Sequence, residues 1–381
     1  MECRQIVQES VPLEGGQLLA LAELDPQLVL VFGSVGALRQ PGRLTQLQAA
    51  IPRAALVGCS TAGEISDQGR SEQTCVITAI RFHGEITLQV AEAAIPSMAA
   101  CQAAGVALGA ALKGPSLRAI LLFGKGVGVN GSALLAGLVA EVGAQVPISG
   151  GLAGDNGAFL ETLTLGPSGI TPDGVVAVGL GGEGLLLSHG SRGGWSPFGP
   201  ARKVTRCREN ILYELDGEPA LNIYKRYLGE HAKDLPSSGL LFPFEILDQA
   251  RGPLGLIRTI LGVDEAEGSL ILAGEIESGG FLRLMHASKD DLVDGAEEAA
   301  RLAGSLQQAR TGQGLALLVS CVGRHLVMGD AVEEEIEGVK ELLGKEMTLT
   351  GFYSYGEFAP LAPGDCRLHN QTMTVTCLGE R

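Results

Sequence analysis

The organisation of this chain follows from one short sequence, Val57-Gly58-Cys59-Ser60-Thr61-Ala62-Gly63-Glu64, which comes after an apolar segment. Two related sequences occur further on, Ile148-Ser149-Gly150-Gly151-Leu152-Ala153-Gly154-Asp155 and Thr350-Gly351-Phe352-Tyr353-Ser354-Tyr355-Gly356-Glu357. Each consists mainly of small residues and ends in a glycine followed by a carboxylate. Three such loops indicate that the chain contains repeated structural units.

The repetition extends upstream of the first two loops. Phe32-Gly33 and Phe123-Gly124 each end a short apolar run. The separation from Phe32 to Gly63 equals that from Phe123 to Gly154, 31 residues in each case. Equal spacing between matching ends indicates an internal duplication, and we expect two related units at 28–91 and 119–190.

Strand and helix patterns alternate within each unit. Short apolar runs predict buried strands in the first unit at Leu28–Phe32, Ala54–Val57, Cys75–Phe82 and Ile86–Ala91, the last two forming a hairpin. Apolar residues at helical spacing predict helices at Leu44–Ala50, Pro96–Leu112 and Ser132–Val142. Repeated β-α-β-loop-β-β units fold as mixed sheets covered by helices. The predicted fold class is therefore α/β, on the border with α+β, in two domains.

The last part of the chain repeats the pattern with an insertion. Strands are predicted at Gly314–Ser320 and Met347–Phe352, with a helix at Val332–Leu343 between them. Upstream, single strands are predicted over Val204–Glu214 and Leu254–Gly262, and an amphipathic helix over Asp290–Gln307. We predict an N-terminal extension at 1–27, an N-terminal domain at 28–215 and a C-terminal domain at 216–381.

The composition excludes several classes of partner. The 381-residue chain carries 28 basic and 43 acidic residues, and its formal net charge of −15 repels nucleic-acid phosphates and anionic lipids. Aromatic residues make up 4%, too few for the stacking surfaces that bind single-stranded nucleic acid. No apolar run approaches the roughly 20 residues needed to span a bilayer. We therefore expect no nucleic-acid partner and no membrane insertion.

The cysteine pattern favours a reducing compartment. The eight cysteines are scattered without a C-x-x-C pair, and the chain is long enough not to need disulfide bonds. The first residues, Met1–Gln17, lack the apolar segment of a signal peptide. We therefore expect a cytoplasmic protein with reduced thiols.

The three Gly-carboxylate loops are expected to gather around one ligand pocket. Small residues let backbone N–H groups approach a ligand, and the carboxylates suited to an ammonium group are Glu64, Asp155 and Glu357. Arginine is the best planar partner of a ligand carboxylate, which points to Arg206 and Arg324. Further polar residues predicted in this pocket are Ser60, Thr61, Asn156 and Asn370. The alternative interpretation is that the glycines only permit tight strand crossings and the charged residues form surface contacts.

Catalytic and metal-binding interpretations have less support. A hydrolase-like enzyme would use Cys59 or Ser60 as the nucleophile, but the sequence supplies no oriented base, and a buried structural Cys59 is expected instead. No pair among the six histidines has the spacing of a local zinc site. The glycine-rich loops also lack the Lys-Ser/Thr of a phosphate-binding P-loop. We predict a protein that is not an enzyme and holds no metal.

Several motifs, taken in order, resemble the FIST family, whose members pair an N-terminal with a C-terminal FIST domain. The matching sequences lie within roughly 28–378, at Val57–Glu64, Ser149–Asp155, Gly174–Leu180, Gly194–Gly199, Leu212–Ala220, Ser320–Arg324, Gly356-Glu357 and His369–Thr372. The family consists of prokaryotic sensory domains that are proposed to bind small ligands such as amino acids. The resemblance therefore implies a small-ligand-binding sensory protein of signal transduction, with an amino-acid-like ligand.

The resemblance also implies partners and a cofactor alternative. Family members are usually attached to, or encoded beside, signalling outputs, and this sequence has no kinase, cyclase or chemoreceptor segment. We therefore expect the output on a separate partner chain, a histidine kinase, a cyclase or a chemoreceptor. Some members are similar to haem proteins that sense nitric oxide. A haem-binding sensor with a single axial histidine is accordingly one alternative, and a hydrolase-like enzyme is the other.

Overall fold

The computed structural model describes residues 1–8 and 13–381. Its strands are β1 (Glu2–Gln8), β2 (Leu28–Gly33), β3 (Ala55–Ser60), β4 (Glu64–Ser66), β5 (Gly69–Ser71), β6 (Cys75–Arg81), β7 (Thr87–Ala94), β8 (Leu117–Gly124), β9 (Ile148–Leu152), β10 (Thr164–Gly166), β11 (Gly169–Thr171), β12 (Gly174–Gly181), β13 (Leu185–Arg192), β14 (Ser196–Pro197), β15 (Arg202–Arg208), β16 (Ile211–Leu215), β17 (Glu218–Pro219), β18 (Phe244–Leu247), β19 (Pro253–Arg258), β20 (Ile260–Asp264), β21 (Ser269–Leu272), β22 (Phe281–His286), β23 (Thr311–Cys321), β24 (Met347–Ser354), β25 (Gly356–Ala362), β26 (Asp365–His369) and β27 (Met373–Glu380).

The α-helices are α1 (Gly15–Leu24), α2 (Val35–Leu38), α3 (Arg43–Ala50), α4 (Cys101–Leu112), α5 (Gly131–Val142), α6 (Ala220–Leu228), α7 (Lys289–Ala303), α8 (Val322–Met328) and α9 (Val332–Leu343). Short 3₁₀ helices lie at Met98–Ala100, Gly229–Asp234, Ser237–Leu241, Gly304–Gln308 and Gly329–Ala331. None of the helices described is long and apolar enough to cross a lipid bilayer.

Three six-stranded sheets share one strand order. The first sheet runs β1-β6-β2-β3-β10-β11, the second β7-β12-β8-β9-β25-β26, and the third β13-β27-β23-β24-β4-β5. In each sheet the two central strands are parallel, namely β2/β3, β8/β9 and β23/β24, and the other neighbours are antiparallel. The mixed sheets and their helices agree with the predicted fold class.

Each of these sheets ends in a hairpin from a different part of the chain. The hairpin β4–β5 follows β3 but pairs with β24, and β10–β11 follows β9 but pairs with β3. The hairpin β25–β26 follows β24 but pairs with β9. The exchange is therefore cyclic among three units, and the three Gly-carboxylate loops are the places where the chain passes from one sheet to the next.

The inner faces of the three sheets meet in one central core. Along β2, Leu30 and Phe32 face this core, whereas Val31 faces outward, as the alternation of a strand requires. The ring centroid of Phe32 lies 5.4 Å from that of Phe123 and 4.8 Å from that of Phe352. Helices cover the outer faces, with α1 and α3 on the first sheet, α4 and α5 on the second, and α7 and α9 on the third.

Glycine is required where the parallel central strands approach each other. At three equivalent positions an added β carbon would lie 1.8–2.1 Å from a backbone carbonyl oxygen of the neighbouring strand, namely Gly58, Gly150 and Gly351. Their partners in the parallel register are Val31, Leu122 and Leu318. The glycine of each loop motif therefore sets the distance between the two strands.

We expect Gly58→Ala to lower the free energy of unfolding by about 1–3 kcal/mol, because the methyl group overlaps the Val31 carbonyl oxygen and separates β2 from β3. Urea denaturation followed by circular dichroism measures this change. Gly36→Ala is the matched control, since Gly36 lies in α2 with nothing within 4 Å of an added β carbon. Equal urea midpoints for wild type and Gly58→Ala would contradict the close approach.

The third unit carries a large insertion between β13 and α7. Residues 193–288 contain α6 and a separate nine-stranded sheet, β19-β18-β22-β15-β16-β21-β20, with β14 beside β22 and β17 beside β16. This insertion sheet has its own apolar core, which includes Leu212, Tyr224, Phe244 and Leu282. The domain boundary predicted at 215/216 falls between β16 and β17 of the insertion sheet and stays a prediction.

Several predicted elements differ from the observed ones. Val204–Glu214 was expected to be one strand but forms the hairpin β15–β16, because Glu209 adopts a left-handed φ of 55° at the turn. Leu254–Gly262 is likewise divided into β19 and β20. The helix expected over Asp290–Gln307 ends at Ala303, where a 3₁₀ turn replaces it.

The units also begin earlier in the chain than the spacing indicates. Residues 1–27, expected to be an extension, contain α1 and the edge strand β1, which pairs with β6. The strand expected at Ile86–Ala91 is β7, and it does not form a hairpin with β6. It pairs with β12 and is the edge strand of the second sheet. The edge strands β1, β7 and β13 therefore open the three units.

Candidate functional site

Two of the predicted ammonium-binding carboxylates lie in equivalent buried networks. Glu64 accepts hydrogen bonds from the Thr61 hydroxyl and from the amide and hydroxyl of Thr74. Glu357 accepts the equivalent hydrogen bonds, from the Ser354 hydroxyl and from the amide and hydroxyl of Thr372. Both side chains are fully buried, and burial raises the pKa of each carboxyl, for Glu357 to about 8. Both carboxyls lie inside the fold where the chain passes from one sheet to the next, and neither is accessible to a ligand.

The residues around Glu64 are also used inside the fold. The Ser60 hydroxyl donates to the Gly154 carbonyl at 2.7 Å and accepts from the Leu163 amide at 2.8 Å, which joins the first loop to the second. Cys59 is fully buried in the central core, as predicted, and burial raises the pKa of its thiol. Neither Cys59 nor Ser60, the two nucleophiles of the hydrolase interpretation, lines either of the two cavities described below.

Arg324, expected to bind a ligand carboxylate, is a buried structural cation. Its Nε and Nη2 donate to Oε1 of Glu335 at 3.1 and 3.0 Å, and both side chains are 0% exposed. Its Nη1 and Nη2 also donate to the carbonyls of Gly193 and Leu292, at 2.5 and 2.7 Å. Arg324 thereby joins α8 and α9 to α7 and to the start of the insertion.

Two further predicted residues lie apart from the loop carboxylates. Arg206 is exposed on the insertion sheet, where it pairs with Glu214 at 2.9 Å and stacks over the Tyr213 ring. Asn370 is buried after β26, and its Oδ1 has no hydrogen-bond partner among the residues that the structure describes. The structure does not bring either residue together with Glu64, Asp155 or Glu357 at a cavity.

Asp155 and Asn156 do line a cavity, which we call the loop cavity. It has a volume of about 540 Å³ and lies between the second loop and the segment that follows β2. Its lining consists of Ser34, Val35, Gly36, Ala37, Gln40, Arg43, Gln73, Asp155, Asn156, Ala158, Leu160 and Glu161. These two are the predicted site residues that the structure brings together.

Asp155 holds the second loop in shape. Its carboxylate accepts hydrogen bonds from the Tyr355 hydroxyl and from three amides, those of Phe159, Leu160 and Glu161, at 2.8–2.9 Å. The rings of Phe159 and Tyr355 stack with centroids 4.1 Å apart. Asn156 adopts a left-handed φ of 58°, a conformation that asparagine tolerates better than most residues.

Arg43 is the residue of this cavity that the sequence analysis missed. It begins α3 and is only 1% exposed, and its Nη1 donates to the Ala37 carbonyl at 2.7 Å. Within residues 1–8 and 13–381, its Nε has no hydrogen-bond partner and no carboxylate forms an ion pair with it. The sequence does contain a signal for Arg43. A positive charge in the first turn of a helix is unfavourable because of the helix dipole, so an arginine there indicates an interaction with a group outside the helix.

A second cavity, which we call the insertion cleft, lies between the insertion sheet and the hairpin β25–β26. Its volume is about 450 Å³. Apolar side chains of β18, β19 and β22 form its walls, and the buried Arg258 lines it together with acidic residues. None of the predicted site residues lines this cleft.

Two of the six histidines, His83 and His369, lie in surroundings that do not suit a haem group. His83 lines a cavity of about 370 Å³, but its neighbours there include Glu2, Glu380 and Arg381 rather than the apolar walls that a porphyrin needs. His369 is buried with its Nε2 3.1 Å from the Ala359 carbonyl oxygen. Among the described residues, no three His, Cys, Asp or Glu side chains form a group that could hold a metal ion.

Comparisons with known proteins identify related families and structures. A model of the FIST N domain matches residues 27–218, and a model of the FIST C domain matches residues 220–360. An uncharacterized protein of Methanocaldococcus jannaschii is 24% identical over 253 residues, covering 59% of this chain and 47% of that protein. The chain thus spans about half the length of this curated relative.

Similar solved structures include two described as cyanuric acid hydrolases. The enzyme from A. caulinodans has a TM-score of 0.40 and 9% identity, with 100% of this chain and 99% of that chain covered. The other has a TM-score of 0.37 and 10% identity, with 100% of both chains covered. TM-scores this low carry no argument about activity.

Proposed function

The chain belongs to the FIST family, and from this premise we propose that it is a cytoplasmic sensory protein whose loop cavity binds a small amino-acid-like ligand. FIST domains have been proposed as small-ligand sensory domains of signalling proteins. We add to this the class of ligand, its binding in the loop cavity and the cytoplasmic location of the protein. The chemistry of the cavity lining supports the proposed ligand site.

The proposal rests on the buried guanidinium of Arg43, which has no carboxylate partner within residues 1–8 and 13–381 and contacts only uncharged groups, the Ala37 carbonyl and the Cys75 thiol. A buried charge is costly unless an opposite charge and hydrogen bonds compensate for it. The Ala37 carbonyl satisfies one donor of Arg43, and its Nε has no hydrogen-bond partner among the residues that the structure describes. A ligand carboxylate would supply the missing negative charge and would accept two parallel hydrogen bonds from the guanidinium.

The lining also offers an acidic partner for a ligand ammonium group. The Asp155 oxygens already accept four hydrogen bonds from the protein, so the ammonium group is expected nearer to Glu161. Glu161 pairs with Arg39 at 2.5 Å, and both side chains are accessible to solvent. An exposed ion pair of this kind contributes little stability, so Glu161 can exchange its partner at low cost.

A ligand in this position would connect all three units. Arg43 belongs to the first unit, Asn156 and Glu161 to the second, and the loop around Asp155 stacks on Tyr355 of the third. Ordering the second loop against Arg43 is therefore a route from the ligand to the rest of the molecule. We place the signalling output on a separate partner chain, a histidine kinase, a cyclase or a chemoreceptor.

The test is a thermal-shift screen of amino acids and related small acids, followed by titration of the best ligand. Selective binding to the native state raises the apparent melting temperature. We expect Arg43→Met to weaken binding about 30-fold or more, which corresponds to about 2 kcal/mol for the loss of a desolvated charge partner. Ala158→Trp should also abolish binding, because Ala158 is an exposed lining residue whose enlargement fills the cavity.

Matched controls separate binding from folding. Arg53→Met removes an exposed arginine outside the cavity, and Ala103→Trp enlarges an exposed alanine of α4. Both should bind the ligand as wild type does. The proposal fails if Arg43→Met and Ala158→Trp keep wild-type affinity, or if no amino acid or small acid raises the melting temperature.

A further inference from the structure

We infer that the insertion cleft is a second ligand site, separate from the loop cavity, and that it takes a small zwitterion with an apolar body. The carboxylate of this ligand would lie at Arg258, its apolar part against the cleft walls, and its cationic group at the acidic rim. The inference does not depend on the function proposed for the loop cavity.

The cleft is bounded by two parts of the fold that are distant in sequence. The insertion sheet supplies most of the lining, and the hairpin β25–β26 and the first turn of α5 supply the rest. The apolar walls are formed by Val204, Ile246, Leu247, Leu254, Leu256, Ile276, Phe281, Leu282 and Leu361. Walls of this kind suit a branched or aromatic side chain rather than a sugar or a phosphate.

Arg258 supplies a buried cation that forms no ion pair with a carboxylate of the described residues. It is 5% exposed, and its Nε donates to the Glu275 carbonyl at 3.1 Å. Its Nη1 donates to the carbonyls of Ile257 and Leu368, at 3.0 and 3.4 Å. In the described part of the chain, Nη2 makes no hydrogen bond and no ion pair reaches this guanidinium. Carbonyl groups satisfy donors but leave the charge uncompensated, so a carboxylate is the fitting partner.

Burial lowers the pKa of this guanidinium. Loss of contact with water shifts the pKa of Arg258 to about 10, although the nearby Glu275 opposes the shift. An anion bound beside Arg258 would reverse that shift, because an opposite charge favours the charged form. The carboxylate end of a ligand is thus favoured at the base of the cleft.

The rim of the cleft has the opposite charge. It carries four acidic residues, Asp248, Glu275, Glu277 and Asp365, against Arg367 of the described lining and Arg251, whose guanidinium lies 5.0 Å from the centroid of the Phe281 ring. Arg367 pairs with Asp365 at 2.5 Å, and Glu275 accepts a hydrogen bond from the Asn130 amide at 2.6 Å. Glu277 is exposed and forms no ion pair among the described residues. A simple anion would be repelled by this rim, whereas a zwitterion presents its cationic group to it.

A ligand in the cleft would fix the insertion against the second sheet. Direct polar contacts that already join them include Asn130 with Glu275 and Arg258 with the Leu368 carbonyl. A bound zwitterion would add a bridge between Arg258, the rim and Leu361 of the hairpin. Ligand binding in the cleft would then fix the position of the insertion relative to the second sheet.

Isothermal titration calorimetry with three related probes tests the inference: L-leucine, 4-methylpentanoate, which lacks its amino group, and isopentylamine, which lacks its carboxyl group. We expect L-leucine to bind and the other two to bind at least tenfold more weakly, because each lacks one charged end. Arg258→Met should weaken L-leucine binding by tenfold or more. Leu361→Trp should abolish it by filling the cleft from a half-buried position.

The controls keep the result interpretable if Arg258→Met unfolds. Arg226→Met and Leu261→Trp change exposed residues of the same insertion that do not line the cleft, and both should bind L-leucine normally. Ala158→Trp, which fills the loop cavity, should also leave this binding intact. The inference is overturned if no probe binds, if 4-methylpentanoate binds as tightly as L-leucine, if folded Leu361→Trp retains binding, or if Ala158→Trp removes it.

Discussion

Arg324→Met is expected to lower the free energy of unfolding by about 3–5 kcal/mol, because it leaves the carboxylate of Glu335 buried without its partner. The substitution also removes the donors that reach the Gly193 and Leu292 carbonyls. Methionine fills much of the space but carries no charge. Urea denaturation at neutral pH, followed by circular dichroism, measures the loss.

The control for this prediction is Arg206→Met. Arg206 forms an ion pair with Glu214, but the pair is exposed, so its removal should cost at most about 1 kcal/mol. The double variant Arg324→Met/Glu335→Leu should recover much of the loss, since no charge is then left buried. If Arg324→Met and Arg206→Met shift the urea midpoint equally, the buried pair does not have the role described.

Glu357→Gln is expected to remove a pH dependence of stability on the order of 4 kcal/mol. The folded protein raises the pKa of Glu357 from its ordinary value of 4.5 to about 8, because burial disfavours the charged form. The protonated carboxyl therefore contributes its full stabilisation below about pH 4.5, and this is lost as the pH rises through about 8. Glutamine has a similar shape and does not titrate.

The measurement is the difference in unfolding free energy between wild type and Glu357→Gln at several values from pH 4.5 to 8.5. The variant should gain relative to wild type as the pH rises, because wild type alone must ionise a buried group. Glu333→Gln is the control, since Glu333 is an exposed carboxylate on α9. A difference that stays constant over this range would show that Glu357 does not titrate with a raised pKa.

The local structure of the repeats could be predicted from the sequence, but the strand with which each hairpin pairs could not. The alternation of Leu30, Val31 and Phe32, and the equal spacing of the loops, predict strands, helices and a duplication because these depend on neighbouring residues. The hairpin β4–β5 gives no sign in its own residues that it pairs with β24. That pairing follows from the closing of three sheets around one core, which is a property of the whole chain.

The candidate site was harder to predict for the same reason. Arg206 and Arg324 look equivalent in the sequence, yet one is exposed and the other is fully buried against Glu335. Among the described residues no carboxylate forms an ion pair with Arg43 or Arg258, and this depends on every element packed around them. Asp155 and Asn156 line the loop cavity, and their role in ligand binding stays a prediction.

The cyclic exchange of hairpins has a consequence for synthesis on the ribosome. A chain emerges from its N-terminus, and the partner of Ser66 in β4 is Thr350 in β24. The second sheet stays open along β9 until β25–β26 is made, and the third cannot close before β27. Open strand edges invite pairing with other chains, and contacts this distant in sequence form slowly. The β9 edge of the nascent polypeptide therefore stays unpaired until β25–β26 has been synthesised.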